Sequence, residues 1–328
     1  MAKRNELSLL VLVAMAVVVF LSVQVKSEVA AGSYTTEMQE AVRNEVKAFP
    51  DLRPGLIRLL FHDCFVNGCD GSVLLETSRI NGTDGKTEMT SAFNGGLRGL
   101  EVIQNIKKNL GTKYNITCTD AVIYAAREAV YLLSKGKIAY NVTGPGRMDG
   151  VISRSEDPAK FLPTPSFTFD QLKESFRNKS LSTDDVIALS GAHAIGVAHR
   201  MFVDVNTLDT PVSYQKAVAV ELSNGTDVIK NNVRDFGAAS GYMDNNKERM
   251  EAKGVLDNSF YNAISQKMAL FPSDRVLWEG AKAKVTGYKD KADTWYIEFG
   301  NSMEKLSKLP ATSDPSKIEI REVCSKTN

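Results

Sequence analysis

The stretch RLLFHDCFVNGCDGSVLL, Arg58 to Leu75, carries an arginine and a histidine into an otherwise apolar run, and two cysteines and two aspartates follow between Asp63 and Asp70. On a helix, Arg58 and His62 project from one face at adjacent turns. A core histidine beside a salt-bridged arginine is the usual fate of such a pair, but it leaves the following residues unexplained. Asp63, Asp70 and Ser72 offer side-chain oxygens, and the loop between Cys64 and Cys69 offers the carbonyls of Val66 and Gly68. Hard oxygen donors of this kind are what calcium takes, with Gly68 letting the backbone turn inward. An ion there would stiffen the end of the helix that carries His62.

A second constellation is LSTDDVIALSGAHAIGVAHR, Leu181 to Arg200. Ser182 with Asp185 has the form of a capping box that opens a helix. Val186, Leu189, His193 and Val197 then recur at three- and four-residue steps, so His193 points where the apolar side points. Gly191 and Ala192 leave room there for a flat group. His199 lies on a different side of such a helix and cannot chelate one metal together with His193. A lone histidine on an apolar face is more often core than ligand. Arg58 and His62 elsewhere, with no carboxylate or thiolate set for zinc, favour the ligand reading.

Around these stretches the chain has 328 residues, a formal charge of +1 and 43% hydrophobic composition. That suffices for one sizeable domain or two small ones, and the near-neutral balance gives no reason to expect nucleic acid as a partner. Periodicity predicts a mostly helical fold. Met38, Ala41, Val42 and Val46 share a face. So do Leu97, Leu100, Ile103, Ile106 and Leu110, with a stop expected at Gly111. Val122, Ile123, Ala126, Val130 and Leu133 continue the pattern, and Trp295 to Leu309 reads as a final helix. TGPGRMDG and LPTPS mark loops. Asn206 to Gly254 reads as polar and irregular, and sustained period-two alternation is absent.

Lys3 and Arg4 precede the apolar run Leu9 to Leu21, and small residues follow in KSEVAAG. This predicts a signal peptide over residues 1–28, cleaved between 27 and 31, ahead of a single domain over 29–328. The competing reading is an uncleaved anchor, since no charge interrupts Leu7 to Val25. Sequons at Asn81, Asn115, Asn141, Asn178 and Asn224 fit a lumenal route, and no hydrophobic tail or retention tetrapeptide follows Cys324. Secretion, without stable membrane insertion once the leader is removed, is the expectation. Four cysteines allow three pairings. Cys64 and Cys69 sit close enough to bond each other, which leaves Cys118 for Cys324. Chain entropy assigns ~5 kcal/mol to the long loop and ~2 kcal/mol to the short one.

Taken together, RLLFHDCFVNGCDGSVLL and DDVIALSGAHAIG resemble the distal and proximal histidine motifs of the class III secretory plant haem peroxidases. LRGLEVI, CTDAVIYAAREAV, GRMDG, LPTPSFTFDQLKESF and LDNSFY extend the resemblance from about Glu40 to Cys324. It implies a two-lobed, mostly α body with one haem b between distal and proximal helices. His193 would be the axial ligand of the haem iron, and Asp274 would accept its other ring N–H. His62 would take a proton from peroxide and return it to the departing oxygen, and Arg58 would stabilise the charge that develops. Asn94 would keep His62 a competent base. Glu88 would link that network through water to a distal calcium held by Asp63, Val66, Gly68, Asp70 and Ser72. Pro163 would line the donor site at the haem edge, with Phe202 near it, and Asp120 with Arg147 would form a structural ion pair.

The chain departs from the family pattern in places. It has four cysteines where eight are usual, and Arg200 stands at one of the missing positions. Ala194 replaces a threonine ligand of the proximal calcium, Arg249 and Ala252 fall where an aspartate and a threonine are expected, and Asp257 alone matches clearly. One calcium, the distal one, is therefore expected. The functional expectation is a monomeric, extracellular or cell-wall peroxidase that reduces hydrogen peroxide and oxidises small phenolic donors by one-electron steps. The alternatives are a non-catalytic, calcium-stabilised wall glycoprotein with an impaired haem site and, less compatible with the leader and the bridged loop, an intracellular class I peroxidase.

Overall fold

Helices form where a cap and an apolar face coincide. In the computed structural model, which describes residues 33–196, 198–199, 228–229 and 254–328, Thr35 caps α1 (Thr36–Lys47) by accepting from the Met38 amide, and Met38, Val42 and Val46 turn inward. The second helix, α2 (Arg53–Asn67), carries proline in its first turn, where a missing N–H costs nothing. It ends at Gly68, whose φ of +85° suits glycine, and a side chain there would meet the Pro310 carbonyl oxygen at 2.0 Å.

The third helix, α3 (Leu100–Tyr114), does not stop at Gly111. Gly111 is buried and the helix runs one turn further, ending at Asn115, whose φ of 55° makes the left-handed exit the glycine was expected to make. Leu97 precedes the helix. Next comes α4 (Cys118–Leu133), opened by a capping box between Thr117 and Asp120. The remaining helices are α5 (Asp157–Phe161), α6 (Phe169–Arg177), α7 (Thr183–Ser190), α8 (Ser259–Ser265), α9 (Pro272–Gly280), α10 (Lys282–Asp290) and α11 (Ala292–Leu306). The final helix thus starts before Trp295 and ends before Leu309. Strands are confined, among the described residues, to two short antiparallel pairs: β1 (Asp149–Gly150) with β4 (Ile318–Glu319), and β2 (Ala198–His199) with β3 (Val228–Ile229).

Two groups of helices result. The first is α1, α2 and α3 packed around α4, which is buried on every side along most of its length. Its internal charges are tolerated because they are paired: Asp120 with Arg147 at 3.3 Å, and Glu128 with Arg43 at 2.8 Å and with Arg127. In the second group α7 packs against α6 and α11, and α8 against α9 and α10. Trp295, wholly buried, donates to the Ala188 carbonyl at 3.0 Å and fills the space beside Gly191.

The disulfides are Cys64–Cys69 and Cys118–Cys324, as the spacing suggests, and no described cysteine is free. The C-terminal segment lies against the loop that follows α2. The Cys69 amide donates to the Leu309 carbonyl at 3.1 Å, and the buried Arg321 guanidinium donates to the carbonyls of Gly71 (2.7 Å) and Cys324 (2.8 Å). Asn81, Asn115, Asn141 and Asn178 are exposed. Among the described residues no helix is long and apolar enough to cross a membrane. The leader, Asn224, Arg200, Phe202, Arg249, Ala252 and most of the segment 206–254 lie outside the described residues.

Candidate active site

A cavity of about 300 Å³ brings together Arg58 and His62 from α2, Pro163 from the loop after α5, and His193 and Asp274 from the second group of helices. Phe61, Phe176 and Phe271 supply much of its apolar wall.

On α2, one turn separates Arg58 from His62, and the Arg58 Nε donates to His62 Nε2 at 3.1 Å. The two remaining arms of the guanidinium are held by the carbonyls of Gly95 (3.1 Å) and Phe93 (3.2 Å). Nε2 accepts, so the ring proton sits on Nδ1 and is donated to Asn94 Oδ1, 2.7 Å away. Asn94 Nδ2 in turn donates to the Glu88 carbonyl at 2.8 Å, and the Glu88 amide donates to Ser153 Oγ at 3.0 Å. Asn94 is thus joined to Glu88 directly, through the Glu88 backbone carbonyl. Burial, then the Arg58 charge, pulls the His62 imidazole down to about 3, with Asn94 offsetting part of this. Burial, then Arg98, lowers the Arg58 guanidinium to about 10.

His193 does not continue α7. The helix stops at Ser190 and a 3-10 turn, Gly191–Ala194, carries the histidine. Its Nδ1 lies 2.9 Å from Asp274 Oδ1, which leaves Nε2 free for a ligand. Half of the side-chain surface remains accessible where His193 lines the cavity, although its other surroundings are those of an interior group. Burial pushes its pKa down and the Arg58 charge adds slightly to this, but the charge and hydrogen bond of Asp274 outweigh both and leave it raised. Ala192 lines the cavity, as expected of a position left open for a flat group. Gly191 does not. A side chain on it would strike the Trp295 indole at 2.6 Å, so its smallness serves that packing. Only the backbone of His199 is described, on β2, and Val197 lies outside the described residues.

An apolar cavity that presents one unengaged imidazole nitrogen, with a neutral histidine and an arginine in the same enclosure, fits a haem. The calcium expectation has its own physical support. Asp63, Asp70, Ser72 and Glu88 are all buried, and both Glu88 carboxylate oxygens and the Ser72 hydroxyl lack a hydrogen-bond partner. Burial first, then their neighbouring acids, pushes Asp63 and Glu88 well above the usual carboxylate range, and burial does the same for Asp70. Buried carboxylates in this state call for a cation. Among the described residues no three His, Cys, Asp or Glu side chains converge as a ready-made metal cluster. The set here depends on carbonyls and a hydroxyl beside the acids. One of those carbonyls, Val66 O, accepts from Lys179 Nζ at 2.7 Å. Asp257, the one clear match to the family's second calcium site, accepts at Oδ1 from the Ser259 amide at 3.0 Å.

Sequence reasoning missed several supports: the Phe93 and Gly95 carbonyls that orient Arg58, Ser153 beneath Glu88, and Lys179 on Val66. None has a motif of its own, because each acts through backbone or across a long sequence separation. Trp295 carried a signal, as one of only two tryptophans.

A peroxidase family model matches residues 38–289. The chain is 32% identical over 295 residues to Peroxidase 47 of Arabidopsis thaliana, covering 89% of this chain and 84% of that protein. It is 33% identical over 325 residues to Peroxidase 25 of the same plant, covering 90% of each, and 30% identical over 310 residues to Peroxidase 2 of Zea mays, covering 90% and 87%. With the motifs, the helices and the paired histidine sites already in place, these matches show that the chain belongs to the plant class III peroxidase family.

Proposed function

We propose that the protein is a secreted haem peroxidase that reduces hydrogen peroxide and oxidises small phenolic donors one electron at a time. The observation that carries this reading is the coincidence, in one cavity, of the Arg58–His62 pair, with Asn94 behind it, and the His193–Asp274 pair. Haem b, which His193 would hold through Nε2, would supply the redox chemistry that couples peroxide to a one-electron donor.

The protein's own residues handle protons and charge. His62 Nε2 carries a lone pair, held in that state because Asn94 occupies Nδ1–H. It takes the proton of the incoming peroxide and delivers it to the oxygen that leaves as water. Arg58, fixed by two carbonyls, needs little reorganisation to place its remaining N–H donors toward the developing negative charge. Asp274 holds the His193 proton at Nδ1, orients the ring and makes Nε2 a stronger donor. Pro163, beside Thr164 and Pro165 on the cavity wall, offers an apolar edge on which an aromatic donor stacks, and Phe202 is proposed to lie near it.

The proposal extends to a leader over residues 1–28, a single domain over 29–328, a monomeric state, one calcium at the distal site and delivery to the extracellular space or cell wall. The non-catalytic reading has no observation in its favour, because a haem site that had lost its function has no need of Arg58, His62, Asn94, His193 and Asp274 in mutual register. The test is the visible spectrum of the secreted protein before and after one equivalent of hydrogen peroxide. A Soret band that loses intensity and is restored by a phenol is the expected result. A ferric Soret band indifferent to peroxide, or no Soret band, overturns the proposal.

A further inference from the structure

The geometry points to a second, remote oxidation site in this protein: Tyr288, a redox-active tyrosine that gives one electron toward the His193 cavity and its phenolic proton to Glu298. The inference rests on the reading of that cavity as the haem site.

Aromatic rings run in edge contact from the cavity to Tyr288. The centroids of His193 and Phe260 are 6.1 Å apart, those of Phe260 and Tyr261 5.2 Å, and those of Tyr261 and Tyr288 5.0 Å. A continuous series of π-systems at such spacing is a path for an electron. What distinguishes its last member is the fate of the proton. Oxidising a phenol makes its O–H a very strong acid, so the electron leaves readily only where a base stands ready. Tyr261 has none: its hydroxyl donates to the carbonyls of Ile187 (2.8 Å) and Ala188 (3.1 Å). The Trp295 indole, 5.9 Å from Tyr261, likewise donates to a carbonyl. Tyr288 donates to the Glu298 carboxylate, Oη to Oε2, at 2.5 Å.

A buried hydroxyl in search of a partner needs only a backbone carbonyl, as Tyr261 demonstrates. Tyr288 instead has an acid that reaches solvent. The Glu298 side chain is 32% exposed, while the Tyr288 ring is sealed from water. Glu298 Oε2 also takes Lys284 Nζ at 2.6 Å, and Lys284 reaches Asp184 at 3.0 Å. The proton thus enters a surface network of two acids and one amine. Burial, then the Glu298 hydrogen bond and charge, raises the Tyr288 phenol well above its ordinary range, so it remains protonated until it is oxidised.

The balance is complete. Tyr288–OH and the Glu298 carboxylate become a neutral tyrosyl radical and a carboxylic acid, and the electron reduces the haem, after its reaction with peroxide, by one equivalent. A phenolic donor at the Lys284–Glu298 rim then returns one electron to the ring and loses its own proton to solvent, and Glu298 returns the tyrosine's proton. Donors of the class served are phenolic chains and polymers too bulky to reach the edge at Pro163 on the cavity wall.

The test uses the full-length secreted holoprotein carrying ring-deuterated tyrosine, mixed with one equivalent of hydrogen peroxide and frozen for electron paramagnetic resonance. A tyrosyl signal narrowed by the label is expected. It should vanish in Tyr288→Phe, which keeps the ring and its packing, and in Glu298→Gln, which keeps a hydrogen-bond acceptor but removes the base. In both variants the Soret band and its response to peroxide should be unchanged, with turnover of an immobilised phenolic polymer lost and turnover of a small phenol retained. The same tyrosyl signal in Tyr288→Phe overturns the inference, as does a wild-type protein whose Soret band responds to peroxide without any tyrosyl signal. Absence of the Soret band itself overturns the proposed function, and this inference with it.

Discussion

The Arg58 Nε–H points at His62 Nε2 across 3.1 Å, so the cation that would stabilise charge in the reaction also keeps the neighbouring base unprotonated. With burial as the larger cause and Arg58 as the second, His62 is held at about 3, far below the ordinary imidazole value of ~6.5.

That depression fixes the sign of a pH dependence. As pH falls through ~6.5 the unfolded chain takes up this proton before the folded one does. The stability associated with neutral His62 is therefore present above ~6.5 and is lost progressively on the way down to about 3. The bimolecular reaction with peroxide, followed by stopped flow, is expected to stay level from about pH 7 to about pH 4. An inflection at the ordinary imidazole value contradicts the burial and charge argument.

Removing the base should cost more than removing its holder. His62→Leu is expected to slow the peroxide step by roughly 10²–10⁴-fold, the usual share of general acid–base catalysis. Asn94→Ala frees the ring proton from Nδ1 and should cost on the order of 10-fold to 100-fold. The Soret band should survive in both, because neither residue touches His193. Equal losses in the two variants would mean that Asn94 does more than orient the ring.

Calcium and pH should be linked through the acids behind α2. Burial raises Asp63 and Glu88 with help from neighbouring acids, and raises Asp70 mainly by itself. A carboxylate whose folded value is raised binds protons better in the folded chain, so stability falls as pH climbs from the ordinary carboxylate value of ~4 toward the raised one. Chelator-treated protein should therefore melt at a higher temperature in mild acid than at neutral pH, and added calcium should reverse the order. Metal analysis should find one calcium per chain. Two ions would restore the proximal site, and a melting curve indifferent to chelator would leave Glu88 without its explanation.

The long disulfide offers a stability test independent of haem. Replacing Cys118 and Cys324 together by alanine should lower the free energy of unfolding by roughly 2–5 kcal/mol, read from a denaturant titration. The loop it closes spans a sequence separation of 206 residues, so an unchanged midpoint would show that the C-terminal segment is held by its other bonds alone.

The placement of the candidate site residues was legible because they lie in two short stretches where residue type and spacing determine the local structure. Arg58 and His62 occupy adjacent turns of one helix, and the capping box of Ser182 and Asp185 forms with both of its hydrogen bonds. What failed was inference from one residue's local preference. Gly111 reads as a helix stop by propensity, yet burial in the packed end of α3 overrides it, and the left-handed turn passes to Asn115. Gly191 reads as an opening for a ligand, but its neighbour is Trp295, far along the chain, and no spacing rule carries that information. The carbonyls that aim Arg58 belong to the same class, since a backbone oxygen has no letter in a sequence.

The C-terminal segment has a consequence for biosynthesis. Gly68 abuts Pro310, Cys69 bonds Leu309, and Arg321 caps the carbonyl of Gly71, so the loop after α2 borrows its outer wall from residues far downstream in the chain. Although α2 itself is made early, the loop at its end cannot be sealed until the residues from Leu309 to Arg321 have been made. Closure of the Cys118–Cys324 bond, with an external oxidant taking the two electrons, would then act as a completion signal, and a chain truncated a few residues short of Arg321 should be retained as unfinished even though Arg58, His62, Asn94, His193 and Asp274 are all present.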